Sequence, residues 1–524
     1  MLGLTRWELP AFFKTTNIAP VVVVIAYVHP TLFEQIRELP PYSETESDPT
    51  QLLRAAEHGN EGAVKLLLER QDIDVNAADT KYGRTPLFWA VEKGHEGVVK
   101  LLLQRDDIDP NAADTEYGGT PLERAALQGH QKIVKLLLGR EDINVNTPGP
   151  KSRWTPLGLA AWAGHERVVE LLLQREDINP NIPSPKYSIT PLHRAAQRGH
   201  VGVVKLLLER KDIDPNTTET EYGQTPLLWA TGKGYNRIVE LLLERENIDP
   251  NARDSKHGGT PLWWAANYGY VGVAKLLLKR EDVNPNTADT EYCLTPLGRA
   301  AQKGYPEVVK LLLERADINP NTGDTKYGRT PLTMAVRQGY LGVVELLLKR
   351  EDVNPNTADT GYGRTPLLWA VHLWYPGVVE SLLKREDINP NIADTKCGGT
   401  PLWWAAQFGH VGIVKSLLER KDLNPDIRGP TGQTALEVAA SLKYAEVMEI
   451  LSQLKHSHPL PRNPASKPSE RYQGSSGLSQ PGCGARSQKD PPGVRAFMVF
   501  AIILFIGLLA IIFVLIGNRS RCAE

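Results

Sequence analysis

The sequence predicts an all-α solenoid of about twelve helix-loop-helix units followed by one C-terminal transmembrane helix. Three observations carry that expectation. A Thr-Pro-Leu tripeptide returns every 35 residues, with its threonine at ten positions from Thr85 to Thr400. Between copies, apolar side chains fall at spacings of three and four, the period of a helix face. Near the end of the chain, 22 residues from Ala496 to Gly517 run without a charge.

Composition is compatible with this. Of 524 residues, 41% are hydrophobic and 23% charged, proportions of a folded chain rather than a disordered one. With 60 basic and 61 acidic side chains the net charge is -1, so no whole-molecule field attracts nucleic acid. Cys293, Cys397, Cys483 and Cys522 are far apart and lack paired spacing, which argues against both a disulfide framework and a zinc module.

Residues 1–47 form an N-terminal extension of unassigned fold. Its apolar run, Ile18 to Val28, contains Pro20 and is followed by His29-Pro30 instead of a small-residue cleavage site, so it does not read as an export signal. The β-branched residues there read as a buried strand or a cap on the first repeat.

The repeat array is expected over 48–455. In the unit from Thr120 to Asn146, Thr120 is placed to cap a helix and Pro121 occupies the first turn, where a missing N–H costs nothing. Leu122, Ala125 and Ala126 share one face, and Gly129 stands where the helix must stop. A second helix follows with Ile133, Val134, Leu136, Leu137 and Leu138 as its apolar side and Lys135 toward solvent. Two such helices cannot cover both apolar faces, so each unit requires neighbours. A degenerate copy, Thr434-Ala435-Leu436, closes the array with Glu437, Ser441, Lys443 and Glu446 as a polar end, and Gln51 opens it.

The pattern T-P-L-x-x-A-A-x-x-G-H-x-x-V-V-K-L-L-L resembles the ankyrin repeat over more than three quarters of the chain. The histidine usual after Thr-Pro-Leu occurs once, as His193. The units exceed the usual 33 residues by two. An Arg-x-Asp-Ile-x-Pro-Asn connector, as in Arg210 to Asn216, replaces the customary Gly-Ala and resembles repeats of large fungal ankyrin arrays. The resemblance implies protein binding through a concave groove and loop tips.

Residues 456–495 break the period. Seven prolines, five glycines and seven serines make this a basic linker of net charge +4, without a packed core. Residues 496–517 then reach about 33 Å at 1.5 Å per residue, enough for a hydrocarbon core of roughly 30 Å. A short tail, 518–524, completes a tail-anchor-like arrangement with the repeats facing the cytosol, by the endoplasmic reticulum pathway or at the mitochondrial outer membrane.

No catalytic or metal spacing survives inspection. His95-Glu96 and His165-Glu166 lack the second histidine of a zinc site, since Val99 and Val169 stand there. Asp107 to Asn111 lacks the glycine and the closing glutamate of a calcium loop. The expectation is a non-enzymatic, membrane-anchored scaffold with protein partners and no cofactor, metal, nucleic acid or small-molecule substrate. The alternative is a regulatory or receptor-like subunit signalling through oligomerisation of its span.

Tryptophans supply the candidate site. Trp89, Trp229, Trp264, Trp369 and Trp404 share one phase, read as packing between repeats. Trp263 and Trp403 precede that phase by one and stand where the histidine is missing. Together with Asn267, Tyr268, Gln407 and Phe408, at positions the resemblance turns toward the groove, they are the candidate partner anchors.

Overall fold

Threonine at one end and glycine at the other set the limits of most first helices. In Pro121–Gln128 the Thr120 hydroxyl accepts the Glu123 N–H while the Glu123 carboxylate accepts the Thr120 N–H, a reciprocal cap. Gly129 closes the helix at φ 77°, a left-handed backbone that an L side chain resists. The same threonine cap and left-handed glycine bound Pro191–Arg198, Pro261–Tyr268 and Pro401–Phe408. Second helices such as Gln131–Leu138 begin after a His or Tyr that makes no side-chain cap.

The computed structural model describes residues 50–457 apart from 150 and 152. These form twenty-four helices in twelve pairs, with no strand among the described residues. The chain divides into two compact units at Asn354–Pro355. The first holds the nine pairs from Thr50–Glu57 to Leu341–Leu348, and the second the three pairs from Pro366–His372 to Ala445–Ser457. The last helix thus continues two residues past 455, where the linker was expected to begin. The extension 1–47, the remainder of the linker, the span Ala496 to Gly517 and the tail lie outside the described residues. Among those described, no helix is long and apolar enough to cross a membrane.

Within the first unit, burial follows the helical period. Leu122, Ala125, Ala126, Val134 and Leu137 are wholly buried, whereas Leu136 and Leu138, expected to join them, are half-exposed. The paired alanines admit the next pair's first helix at close range, and Val-Val and Leu on the second helices fill the space behind.

The connector explains why the period is 35. Asn111 donates its side-chain N–H to the Asp142 carbonyl at 2.8 Å and accepts the Asn144 N–H at 2.8 Å, so one amide ties two successive connectors. Asn146, Asn181, Asn216, Asn251 and Asn286 repeat both bonds. Arg140 forks onto Asp142 at 2.8 and 2.7 Å and donates its third arm to the Leu103 carbonyl, at the end of the preceding unit's second helix. A cation there meets unsatisfied carbonyls and the negative end of the helix dipole. The Arg140 hydrogen bond holds the Asp142 carboxyl below its ordinary range. Each exposed ion pair contributes little alone. Ile143, buried at the centre of the connector, adds the apolar contact.

Glycine-histidine pairs set the spacing on the other side. The His165 ring lies over Gly129, and its Nε2 is 3.0 Å from the Leu127 carbonyl of the preceding unit. A Cβ at position 129 would sit 2.7 Å from that ring. In the second unit the last pair presents Glu437, Ser441, Lys443 and Glu446 to solvent, a polar end cap.

Gly129→Ala is therefore expected to destabilise the array by about 1–2 kcal/mol from backbone strain alone, and by more once the ring must move. Hydrogen exchange should show faster exchange centred on 121–138. Unchanged protection there would refute this account of the glycine.

Candidate functional site

Counting from the threonine as zero, positions five and six are Ala-Ala in most first helices and Ala-Val or Ala-Thr in the others, buried in all but the last pair, so positions four, seven and eight form the face left for solvent. Position four is anchored from below. The Trp89 indole N–H donates to Asp79 at 2.9 Å, Trp264 to Asp254 at 2.9 Å and Trp404 to Asp394 at 2.8 Å, each aspartate ten residues earlier at a loop turn. The same carboxylates accept backbone N–H groups, as Asp254 does from His257 at 2.6 Å and Gly259 at 2.8 Å. Burial works against the Asp79 carboxylate, but the N–H groups of Tyr82, Arg84 and Lys81 and the Trp89 indole outweigh it and hold its pKa below the ordinary range. Each loop tip is thus pinned to the helix it precedes.

In the first unit this face is basic. Arg54, Lys93, Arg124, Arg194, Arg198, Lys233, Arg299, Lys303 and Arg337 occupy it, against Glu57 and Glu92, nine basic residues to two acidic. Second helices mix their charges instead, as Arg167 with Glu170 and Arg237 with Glu240 show. Part of the basic charge is answered internally. Arg124 is paired with Glu92 of the preceding pair, Arg299 with Asp289 at 3.2 Å, and Arg84 on a loop with Glu116 at 3.0 Å.

On this face the second unit carries rings and no Lys, Arg, Asp or Glu. Tyr362 meets Trp369 edge-on at 5.6 Å, and Trp369 meets His372 at 6.3 Å. His372 contacts Trp404 and Phe408 at 5.6 and 5.3 Å, and Phe408 leads to His410 at 5.5 Å. His410 stacks on Trp374 at 5.4 Å and 10°. Burial and the nearby Arg364 charge push His372 down to about 4, so it stays neutral at pH 7. Trp374 occupies a glycine's place with φ 58° and is 65% exposed.

The structure divides the six predicted anchors. Tyr268 is 46% exposed and Phe408 36%, on the solvent face, with Asn267 and Gln407 half-buried beside them. Trp263 and Trp403 are only 3% exposed, which corrects their expected place as surface anchors. Each indole N–H is spent inside the fold: Trp263 donates to the Leu294 carbonyl at 3.0 Å and Trp403 to the Gln433 carbonyl at 3.1 Å, both in the following pair. His193 makes the corresponding contact, its Nε2 3.1 Å from the Gln224 carbonyl. Tryptophan therefore replaces histidine as a donor to the next repeat, with more apolar area added. The other phase, read as packing, supplies part of the surface: Trp89, Trp229, Trp264 and Trp404 are half-buried, and Trp369 is buried. The aspartate ten residues ahead of position four was the signal that separates the two phases.

No group of three or more metal-ligating side chains is assembled among the described residues. A family model described as ankyrin repeats (three copies) matches residues 26–114, 52–149, 110–184, 184–254, 253–324, 297–394 and 375–460. No curated protein matches the chain.

Trp263→Ala should cost about 3–5 kcal/mol, the range for deleting a buried aromatic. Tyr268→Ala, at the surface, should cost under about 1 kcal/mol. Urea unfolding followed by circular dichroism reads both, and equal losses would contradict the division drawn between the two residues.

Proposed function

The chain belongs to the ankyrin-repeat family, and on that premise we propose that it is a protein-interaction scaffold whose contact surface is the solvent face of its first helices. The supporting observation is the segregation of chemistry. Nine basic residues and two acidic ones gather on that face of the first unit, while the chain as a whole carries a net charge of -1. A face of one sign steers an oppositely charged partner and rejects others. Pinned loops and capped helices hold it in place before a partner arrives, which lowers the ordering cost of binding.

A photo-crosslinking residue placed in turn at Tyr268 and Lys303, on the first helices, should capture protein partners in cells. The same residue at Lys205 and Lys310, exposed on second helices, should capture few. Equal capture from both sets, or none from the first, would reject this surface.

The uncharged run Ala496 to Gly517 is proposed to hold the array at a membrane. Its length matches a bilayer, and the Pro/Gly/Ser-rich residues before it give the array freedom to search. Confinement of this kind raises the effective concentration of the surface for partners at the same membrane. The full chain should stay with membranes through alkaline carbonate extraction and a variant lacking 496–517 should not. Release of the full chain would reject the anchor.

A further inference from the structure

Arg194, in the fifth pair, lacks the carboxylates that the fold provides to arginines at the same position elsewhere, and Arg198 stands one turn beyond it. Position four accepts an arginine in two internally paired ways. Arg299 finds an acid ten residues before it, Asp289, and Arg124 finds one 32 residues before it, Glu92. For Arg194 the corresponding residues are Ser184 and Trp162, so both are replaced. Ser184 is buried and its hydroxyl accepts the Ile189 N–H at 3.4 Å. Trp162 is 38% exposed and carries the Arg198 guanidinium 4.5 Å from its ring centre. Arg194 in turn lies 4.2 Å from the ring centre of Trp154. Its Nη1 donates to Gln197 at 2.9 Å; its buried Nε has no acceptor, which is equally so for the acid-paired Arg299, so what sets Arg194 apart is the missing carboxylate. Burial, and then the like charge of Arg198, lower the Arg194 pKa, with no carboxylate acting to raise it.

We propose that Arg194 and Arg198, seated on Trp154 and Trp162, bind a carboxylate of an acidic segment of a partner protein. The inference rests on the scaffold reading and names the chemistry of the partner. Two guanidinium groups one helix turn apart, the Arg194 Nη2 and the exposed Arg198 carrying the donors not spent on Gln197 or buried, match a carboxylate's paired oxygens, and desolvation by the indoles strengthens the contact. The internal pairs at Arg124 and Arg299 show that this position accepts a carboxylate from either direction. An amide-bearing or basic segment would leave the charge unanswered.

The test uses the full-length chain and two matched sets of fluorescent peptides, one with aspartate and glutamate among leucine and phenylalanine, the other with asparagine and glutamine at the same places. The wild type should bind its best acidic peptides roughly tenfold to a hundredfold more tightly than their amide counterparts. Ser184→Asp and Trp162→Glu each restore an internal acid that the fold already accommodates at Asp289 and Glu92. Either variant should lose most of that preference while melting no lower than the wild type. The double variant R194Q/R198Q should lose it as well. Equal binding of acidic and amide peptides, or full preference retained in both Ser184→Asp and Trp162→Glu, would overturn the inference. So would binding of a single-stranded oligonucleotide, in place of peptides, that the same substitutions abolish. If first-helix crosslinking persists while the acidic preference fails, the scaffold reading stands and this site alone falls. Silence in both experiments would remove both.

Discussion

A pair of short antiparallel helices has more apolar surface than the pair can cover. Here each helix is seven to nine residues in most units, too short to persist in water without tertiary packing. Wholly buried Leu122, Ala125, Ala126, Val134 and Leu137 reach that state only because neighbouring pairs lie on both sides. Stability in such an array is a sum over junctions, and every residue that meets a neighbour is constrained by that need. The hydrogen bonds crossing junctions fix the spacing at which burial is complete. Asn111 does so on the connector, His165 over Gly129, and His193 or Trp263 to the following carbonyl. Apolar contact alone has no preferred register, whereas a donor facing a carbonyl does.

Junction chemistry also decides where function has room. Ahead of the polar end pair, positions three, five and six of the first helices are committed to neighbours, and second helices give their Val-Val and Leu side to the core. What remains is a face whose backbone is already held by caps and loop latches. Side chains there vary widely among pairs, from Trp89 to Arg124, Leu159 and Arg194, without altering the frame. Such freedom is what a recognition surface requires, since specificity is written in side chains on a rigid support.

Much of the fold could be read from the chain because its determinants are local and repeated. Thr120, Pro121 and Gly129 act within their own helix, and the period repeats the Thr-Pro pair ten times and the glycine nine. The site was harder to read. Trp263 and Trp264 are adjacent, both aromatic and both placed on a short helix, and a helix turn of about 100° separates burial from surface. Only the partners decide between them: Leu294 lies 31 residues onward, and Asp254 ten residues back. Trp374 poses the same difficulty, since its left-handed backbone follows from its place after a helix while its stacking partner, His410, belongs to the next pair. Contacts between units determine exposure, and one unit's sequence does not contain them.

Arg194 is informative because the fold does not need a charge at its position. Met334, at the equivalent place, is 5% exposed and satisfied by packing alone, and Leu159 is another neutral occupant. Replacing a buried ionic group with apolar side chains of similar volume is often neutral or favourable. Stability therefore gives no reason for an arginine there when Asp289's counterpart is Ser184 and Glu92's counterpart is Trp162. Both counterpart positions, Ser184 on a loop and Trp162 on the preceding helix, lack an acid for this arginine, and Arg198 places a second positive charge four residues on. Their combined effect leaves the guanidinium half-desolvated, stacked on indole and lacking an anion. A carboxylate arriving from outside supplies the anion that Asp289 and Glu92 supply elsewhere, without any change to the frame.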